Sequence, residues 1–203
     1  MDAQLRLKIE QMYHALGQAR HDDLSVIKPV WEVGPNFASV YVDARQGRSD
    51  AALANVLTLL ITNIACLHDH FRRWCKQKGV QRTGECLIDR NPDVAVIYDL
   101  WNLEKHGGLG RESRSKRFPR LTEIGSWVES RTQARAGSVA GMTMSLGTGQ
   151  LRPIGDGTTE VIVTANVVDS GGKLIGDLLE IARRAVEAWE QELRSANVPM
   201  PPL

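Results

Sequence analysis

Four polar side chains fall within a short stretch of the chain and could together carry out acid–base chemistry. They are Asp99, Asn102, Lys105 and His106, in the segment DLWNLEKHGG at residues 99–108. The charge of a histidine changes close to neutral pH, so His106 could act as a general acid or base. A carboxylate and an amide can orient a substrate through hydrogen bonds, and a lysine supplies a cation. We take these four residues as the candidate catalytic set.

The spacing of these residues places three of them on one face of a helix. Asp99, Asn102 and His106 are separated by three and four positions, so they line up at about 100° per residue. Asn91 can cap this helix at its beginning and the glycines at 107–108 can end it. The sequence therefore predicts a helix over 91–106 with a polar row along one side.

Apolar residues recurring every three or four positions predict further helices around this segment. One covers residues 3–20 and a long one covers 49–78, with Ser49 or Asp50 as its N-cap. A last helix follows Asp169 and Ser170 and has a continuous apolar side. These helices should form the core against which the helix over 91–106 packs.

The remaining chain alternates between β-rich runs and polar segments. Val30 to Val33 and Phe37 to Val42 predict a hairpin, and residues 138–168 predict further strands. The polar segment 109–137 is expected to be mobile, with a short helix around Leu121 to Arg131. We predict one domain over 1–203 of the α+β class, mainly an α-helical bundle with small antiparallel hairpins. Its helical core would comprise 49–106 and 170–195, its basic loop 109–137 and its β-rich part 138–168.

A cluster of cations follows the candidate helix and could contact nucleic acid. The segment RESRSKRFPR also contains Phe118, whose ring could stack on a base. A basic loop directly after His106 favours RNA as the partner, although such runs are often only solvated. The candidate RNA-binding residues are Arg111, Arg114, Lys116, Arg117 and Arg120.

Composition limits the possible partners and compartments. The 203 residues carry a formal net charge of +1, so any surface for a polyanion must be local. The beginning of the chain lacks the features of a secretory signal and no uninterrupted apolar run is long enough to span a bilayer, so we expect a cytoplasmic protein without membrane contact. Cys66, Cys75 and Cys86 are too few and too irregular for a zinc or disulfide framework, and we predict neither metal nor cofactor.

The segment from Asp99 to His106 resembles the DLxNxxKH helix of an uncharacterised bacterial family. More distantly it is similar to the HEPN superfamily, and this resemblance implies a helical bundle, a homodimer and a role in toxin, RNA-processing or phage-defence systems. Active HEPN ribonucleases have an arginine, then four to six intervening residues and then a histidine, frequently with an asparagine directly after the arginine. Asn102 and His106 match the second half of that motif, but Trp101, Leu100 and Asp99 stand where the arginine would be.

Three functions remain open. The first is a metal-independent ribonuclease with His106 as acid or base, Asn102 on the phosphate and a substitute cation such as Lys105. The second is an inactive dimerising or partner-binding bundle in which Asp99, Asn102 and His106 form a structural network. The third is a small-molecule or nucleotide-binding module that uses the same polar row.

Overall fold

The computed structural model describes residues 3–25, 27–45, 47–80, 86–107, 112–145 and 148–201. In the described parts of the chain, one helix is followed by three strands, three helices, five strands and a last helix. The helices are α1 (Ala3–Ala19), α2 (Asp50–Lys78), α3 (Leu87–Arg90), α4 (Pro92–His106) and α5 (Leu178–Ser195). The strands are β1 (Arg20–His21), β2 (Lys28–Val33), β3 (Ala38–Asp43), β4 (Arg120–Arg131), β5 (Ala140–Met144), β6 (Leu151–Gly155), β7 (Thr158–Val168) and β8 (Leu174–Asp177).

The main sheet is antiparallel and is built around β7. Strand β4 pairs along the whole length of β7, from Arg120 opposite Val168 to Arg131 opposite Thr158. The short strands β1 and β8 pair with different parts of the other edge of β7. Two separate hairpins, β2–β3 and β5–β6, complete the β structure. Both edges of β7 are therefore covered, which suits its nearly continuous run of buried, β-branched residues.

Helix α2 lies at the centre of the helical part and packs against α1, α4, α5 and the sheet. Its sequence dictates its ends, because the Ser49 hydroxyl accepts from the Ala52 amide and Gly79 takes a left-handed φ of 66°. By length and composition α2 could also cross a membrane. Of its most apolar window, 39% is buried inside the fold, and Leu59 is 51% exposed; the buried residues of the helix are Leu53, Leu57, Leu60, Ile61, Ile64, Ala65, Leu67, Phe71, Trp74 and Cys75.

The structure corrects the predicted fold class. The chain is not mainly a helical bundle with small hairpins, since strands make up 27% of the described residues and form several sheets. The expected short helix at 121–131 is wrong, because this segment is β4 and pairs with β7. The last helix begins later than predicted, at Leu178 with Asp177 as its N-cap, because residues 174–177 pair with β7 first. The α+β part of the prediction stands.

Candidate functional site

Asp99 does not face an open site but holds the chain segment that follows α4. Its side chain is buried, at 1% exposure. One oxygen, Oδ2, accepts from the Ser113 hydroxyl at 2.6 Å, the Ser115 hydroxyl at 2.7 Å and the Ser115 amide at 2.8 Å. The other, Oδ1, accepts from the Arg114 amide at 2.9 Å. These four hydrogen bonds satisfy the buried carboxylate, as burial of a charged group requires.

Most of the predicted basic loop 109–137 is not a loop, because β4 begins at Arg120; the name basic loop is kept from here on for residues 112–120. Hydrogen bonds hold this segment in place. The Ser113 hydroxyl accepts from the Phe118 amide at 3.2 Å, and the Arg117 carbonyl accepts from the Ser170 amide at 3.2 Å. Lys116 and Phe118 adopt left-handed φ angles of 58° and 51°, which non-glycine residues hold only where the surroundings enforce them. The hydrogen bonds to Asp99 and to the turn between β7 and β8 hold Lys116 and Phe118 in this conformation.

The basic loop displays its charged side chains to solvent. Arg114, Lys116, Arg117 and Arg120 are exposed, and Phe118 is 45% exposed. Arg114 donates to Asp89 at 2.9 Å, which neutralises part of its charge. The predicted RNA-binding residue Arg111 lies outside the described residues. The loop thus combines several exposed cations with one exposed aromatic ring on a fixed backbone.

The other members of the predicted catalytic set are not assembled around Asp99. Asn102 is partly buried, and Lys105 and His106 are exposed. The Lys105 ammonium lies 4.8 Å from the centre of the Trp101 ring, a cation–π contact. His106 follows Asp99 by seven residues on the same helix face, about 10 Å further along the axis. The structure therefore confirms the helix over 91–106. Asp99, however, binds the basic loop, whereas the side chains of Lys105 and His106 are exposed.

His68 of α2 is a residue that the sequence reasoning did not include in the site. Its ring makes an edge contact with Tyr98 of α4, with the ring centres 6.1 Å apart. Burial lowers the pKa of His68 from its ordinary value, with nearby Asp69 acting in the opposite direction and Arg72 in the same direction. The neutral imidazole is thus the form that the packing between α2 and α4 favours.

This shift predicts a loss of stability on mild acidification. Because the pKa of His68 is lower in the folded chain, its contribution is fully present above about pH 6.5, the ordinary value, and is lost as the pH falls towards the folded value. Urea unfolding at pH 7.5 and pH 5.5 should show a smaller pH effect in His68→Gln than in the native chain. The matched control is His14→Gln, because His14 is exposed on α1. Equal pH effects in the native chain and His68→Gln would contradict the assignment.

The described part of the chain holds no group of three or more histidine, cysteine, aspartate or glutamate side chains arranged to bind a metal ion. The three cysteines are free thiols. Burial raises the pKa of Cys66, Cys75 and Cys86, which makes each a weaker nucleophile at neutral pH. Thiol chemistry therefore finds little support in the geometry.

Comparison with protein-family models, with curated proteins and with solved structures finds no match for this chain. The similarity of the helix from Asp99 to His106 to the HEPN superfamily accordingly stays a prediction. The basic loop, which is bound by Asp99, is therefore the structural feature on which a function can best be proposed.

Proposed function

We propose that this protein binds single-stranded RNA through the basic loop. The observation that carries the proposal is the set of four hydrogen bonds to buried Asp99. They fix the backbone from which Lys116, Arg117 and Phe118 project into solvent. A binding surface that is already ordered loses less conformational entropy when its ligand arrives.

The exposed groups match the two features that single strands offer to a protein. Lys116, Arg117 and Arg120 can each contact a backbone phosphate, and such contacts supply affinity that depends on salt. The half-exposed Phe118 ring can stack on a base, which contributes about 1–3 kcal/mol for each stacked base. The net charge of +1 means that the rest of the surface adds little long-range attraction. The affinity should therefore depend on the basic loop itself.

We propose binding rather than cleavage because the groups needed for cleavage have other contacts. Self-cleavage of RNA through its 2′-hydroxyl needs proton transfer and a cation near the phosphate. His106 is exposed and could transfer a proton, but Lys105 lies over Trp101 and Asp99 is buried under the loop. His106 lies on the same helix face as Asp99, so a bound strand that continues along α4 would pass near it.

The test is a fluorescence anisotropy titration of a labelled oligouridine at several salt concentrations. The double variant Lys116→Gln/Arg117→Gln should weaken binding and reduce the slope of log affinity against log salt by about 1.4, the value for two lost contacts to a single strand. Phe118→Leu should weaken binding by about 1–3 kcal/mol with little change in slope, because only stacking is lost.

A second double variant provides the matched control. Lys76→Gln/Lys78→Gln removes the same number of charges from the exposed end of α2 and should change affinity and slope much less. Equal losses in the two double variants would show that binding follows overall charge only, and the proposal would be wrong. Absence of binding to the native chain at low salt would contradict it as well.

A further inference from the structure

A cleft of about 550 Å³ lies on the main sheet, between the end of α1 and the beginning of α5. Three adjacent strands form its floor, where Arg20 of β1 lies opposite Ile162 of β7 and Ile162 lies opposite Trp127 of β4. The end of α1 and the beginning of α5 form its walls through Leu16 and Leu179. Its volume is in the range typical of small-molecule sites.

Trp127 gives the cleft a flat apolar surface. The residue is 42% exposed, an unusual position for the largest side chain in a strand, since burial would stabilise it. It leans over Gly125 on the same face of β4, where an added Cβ would lie 3.1 Å from the ring. The absence of a side chain at Gly125 therefore allows the ring to lie flat along the sheet.

Charged groups of both signs surround this surface. Arg20 is paired with Glu160 through Nε at 2.7 Å and through Nη2. Arg131 lies 2.7 Å from Glu129 through Nε and donates to it through Nη2 at 3.0 Å. Each of these arginines is therefore held in place by a carboxylate.

The two ion pairs, Arg20–Glu160 and Arg131–Glu129, leave some polar atoms of these side chains without a hydrogen bond. Among the described contacts, the Nη1 groups of Arg20 and Arg131 have no acceptor. Glu129 Oε2 is buried; it is the oxygen that lies 2.7 Å from Arg131 Nε, but the direction of that contact does not make a hydrogen bond, so its capacity as an acceptor is not fully used. Arg183 differs, because its three nitrogens are engaged by Glu180 and Glu187.

We propose that the cleft binds a small zwitterion with a flat apolar group, of which a free aromatic amino acid is the simplest example. Its carboxylate is bound by Arg20 and Arg131, its ammonium by Glu129, and its ring stacks on Trp127. The geometry matches because the two arginines and the carboxylate lie around the ring on one face of the sheet. The Nη1 group of each arginine would donate to one oxygen of the ligand carboxylate, and such charge-assisted hydrogen bonds are about twice as strong as neutral ones.

The test compares phenylalanine with two analogues that each lack one charge, phenethylamine and phenylpropionate, by calorimetry and ligand-observed NMR. Phenylalanine should bind with a Kd of about 1 mM or below, and each analogue at least about tenfold more weakly, which is about 1.4 kcal/mol. Arg131→Gln should weaken the binding of phenylalanine and phenylpropionate but not of phenethylamine. Glu129→Gln should weaken the binding of phenylalanine and phenethylamine but not of phenylpropionate.

Two further variants separate a binding role from a structural one. Trp127→Leu should weaken the binding of all three probes, while Arg6→Gln, which breaks an arginine–glutamate pair on the exposed side of α1, should change none of them. Circular dichroism confirms the fold of each variant. Failure of phenylalanine, tyrosine and tryptophan to bind at about 5 mM, a concentration that would detect even millimolar affinity, would overturn the proposal. Equal effects of Arg131→Gln and Glu129→Gln on both analogues would overturn it too.

Discussion

Asp99→Ala is expected to lower the free energy of unfolding by about 3–5 kcal/mol, because it leaves buried partners without an acceptor. The change removes the acceptor of two hydroxyls and two backbone amides, those of Ser113, Arg114 and Ser115. Ser113 itself is buried, at 2% exposure, so water cannot easily replace its lost partner. Urea denaturation measures the effect directly.

Asp99→Asn provides the graded comparison. An amide keeps one acceptor oxygen but replaces the other with a donor, so we expect it to retain part of the stability and to loosen the basic loop. Hydrogen exchange of the Arg114 and Ser115 amides should accelerate in both variants, because local opening becomes easier. The control Asp69→Asn, at an exposed position on α2, should change neither property. Native stability in Asp99→Ala would show that Asp99 does not hold the loop.

Trp189→Ala is expected to cost about 3–5 kcal/mol through the cavity that it creates in the core. Trp189 is 1% exposed and meets Phe71 edge to face, with ring centres 6.0 Å apart. Its indole Nε1 is buried with no partner among the described residues. Trp189→Phe keeps most of the ring and removes this unpaired donor, so its cost should stay below about 1.5 kcal/mol.

The comparison of the two Trp189 variants separates packing from hydrogen bonding. Both are measured by urea unfolding beside Trp31→Ala, a control at a tryptophan that is 46% exposed on β2. A surface change of this kind usually alters stability by less than about 0.5–1 kcal/mol. If Trp189→Phe were as damaging as Trp189→Ala, an unrecognised partner of the indole N–H would be the better explanation.

Local sequence patterns were sufficient for the elements with one apolar face. The helices α1, α2 and α4 begin and end close to the predicted residues, because their apolar periodicity and their caps are encoded locally. Strand β4 was missed because its sequence, RLTEIGSWVESR, is mostly polar and half-buried. Its partner β7 begins far along the chain, and no local pattern records such a pairing.

In the candidate site, too, the local element could be predicted from the sequence but its long-range contacts could not. The polar face of α4 consists of the predicted residues. The hydrogen bonds of Asp99, however, depend on the position of the basic loop, and the pairing of β4 with β7 determines that position. The two serines that flank Arg114 are the signal that could have suggested a carboxylate partner, since their hydroxyls and amides all need acceptors. The cleft around Trp127 draws its residues from both ends of the chain, so only the assembled fold reveals it.

We propose above all that the basic loop is the RNA-binding surface. This proposal is tested most directly by following backbone amide signals in NMR spectra while an oligouridine of about eight nucleotides, within the usual size of such sites, is added. Saturable shifts are expected that are largest at Ser113 to Phe118, at Arg120 and at Ser170, whose amide contacts the loop. Shifts confined to other surfaces, or none at a concentration that saturates the native chain in anisotropy, would contradict it.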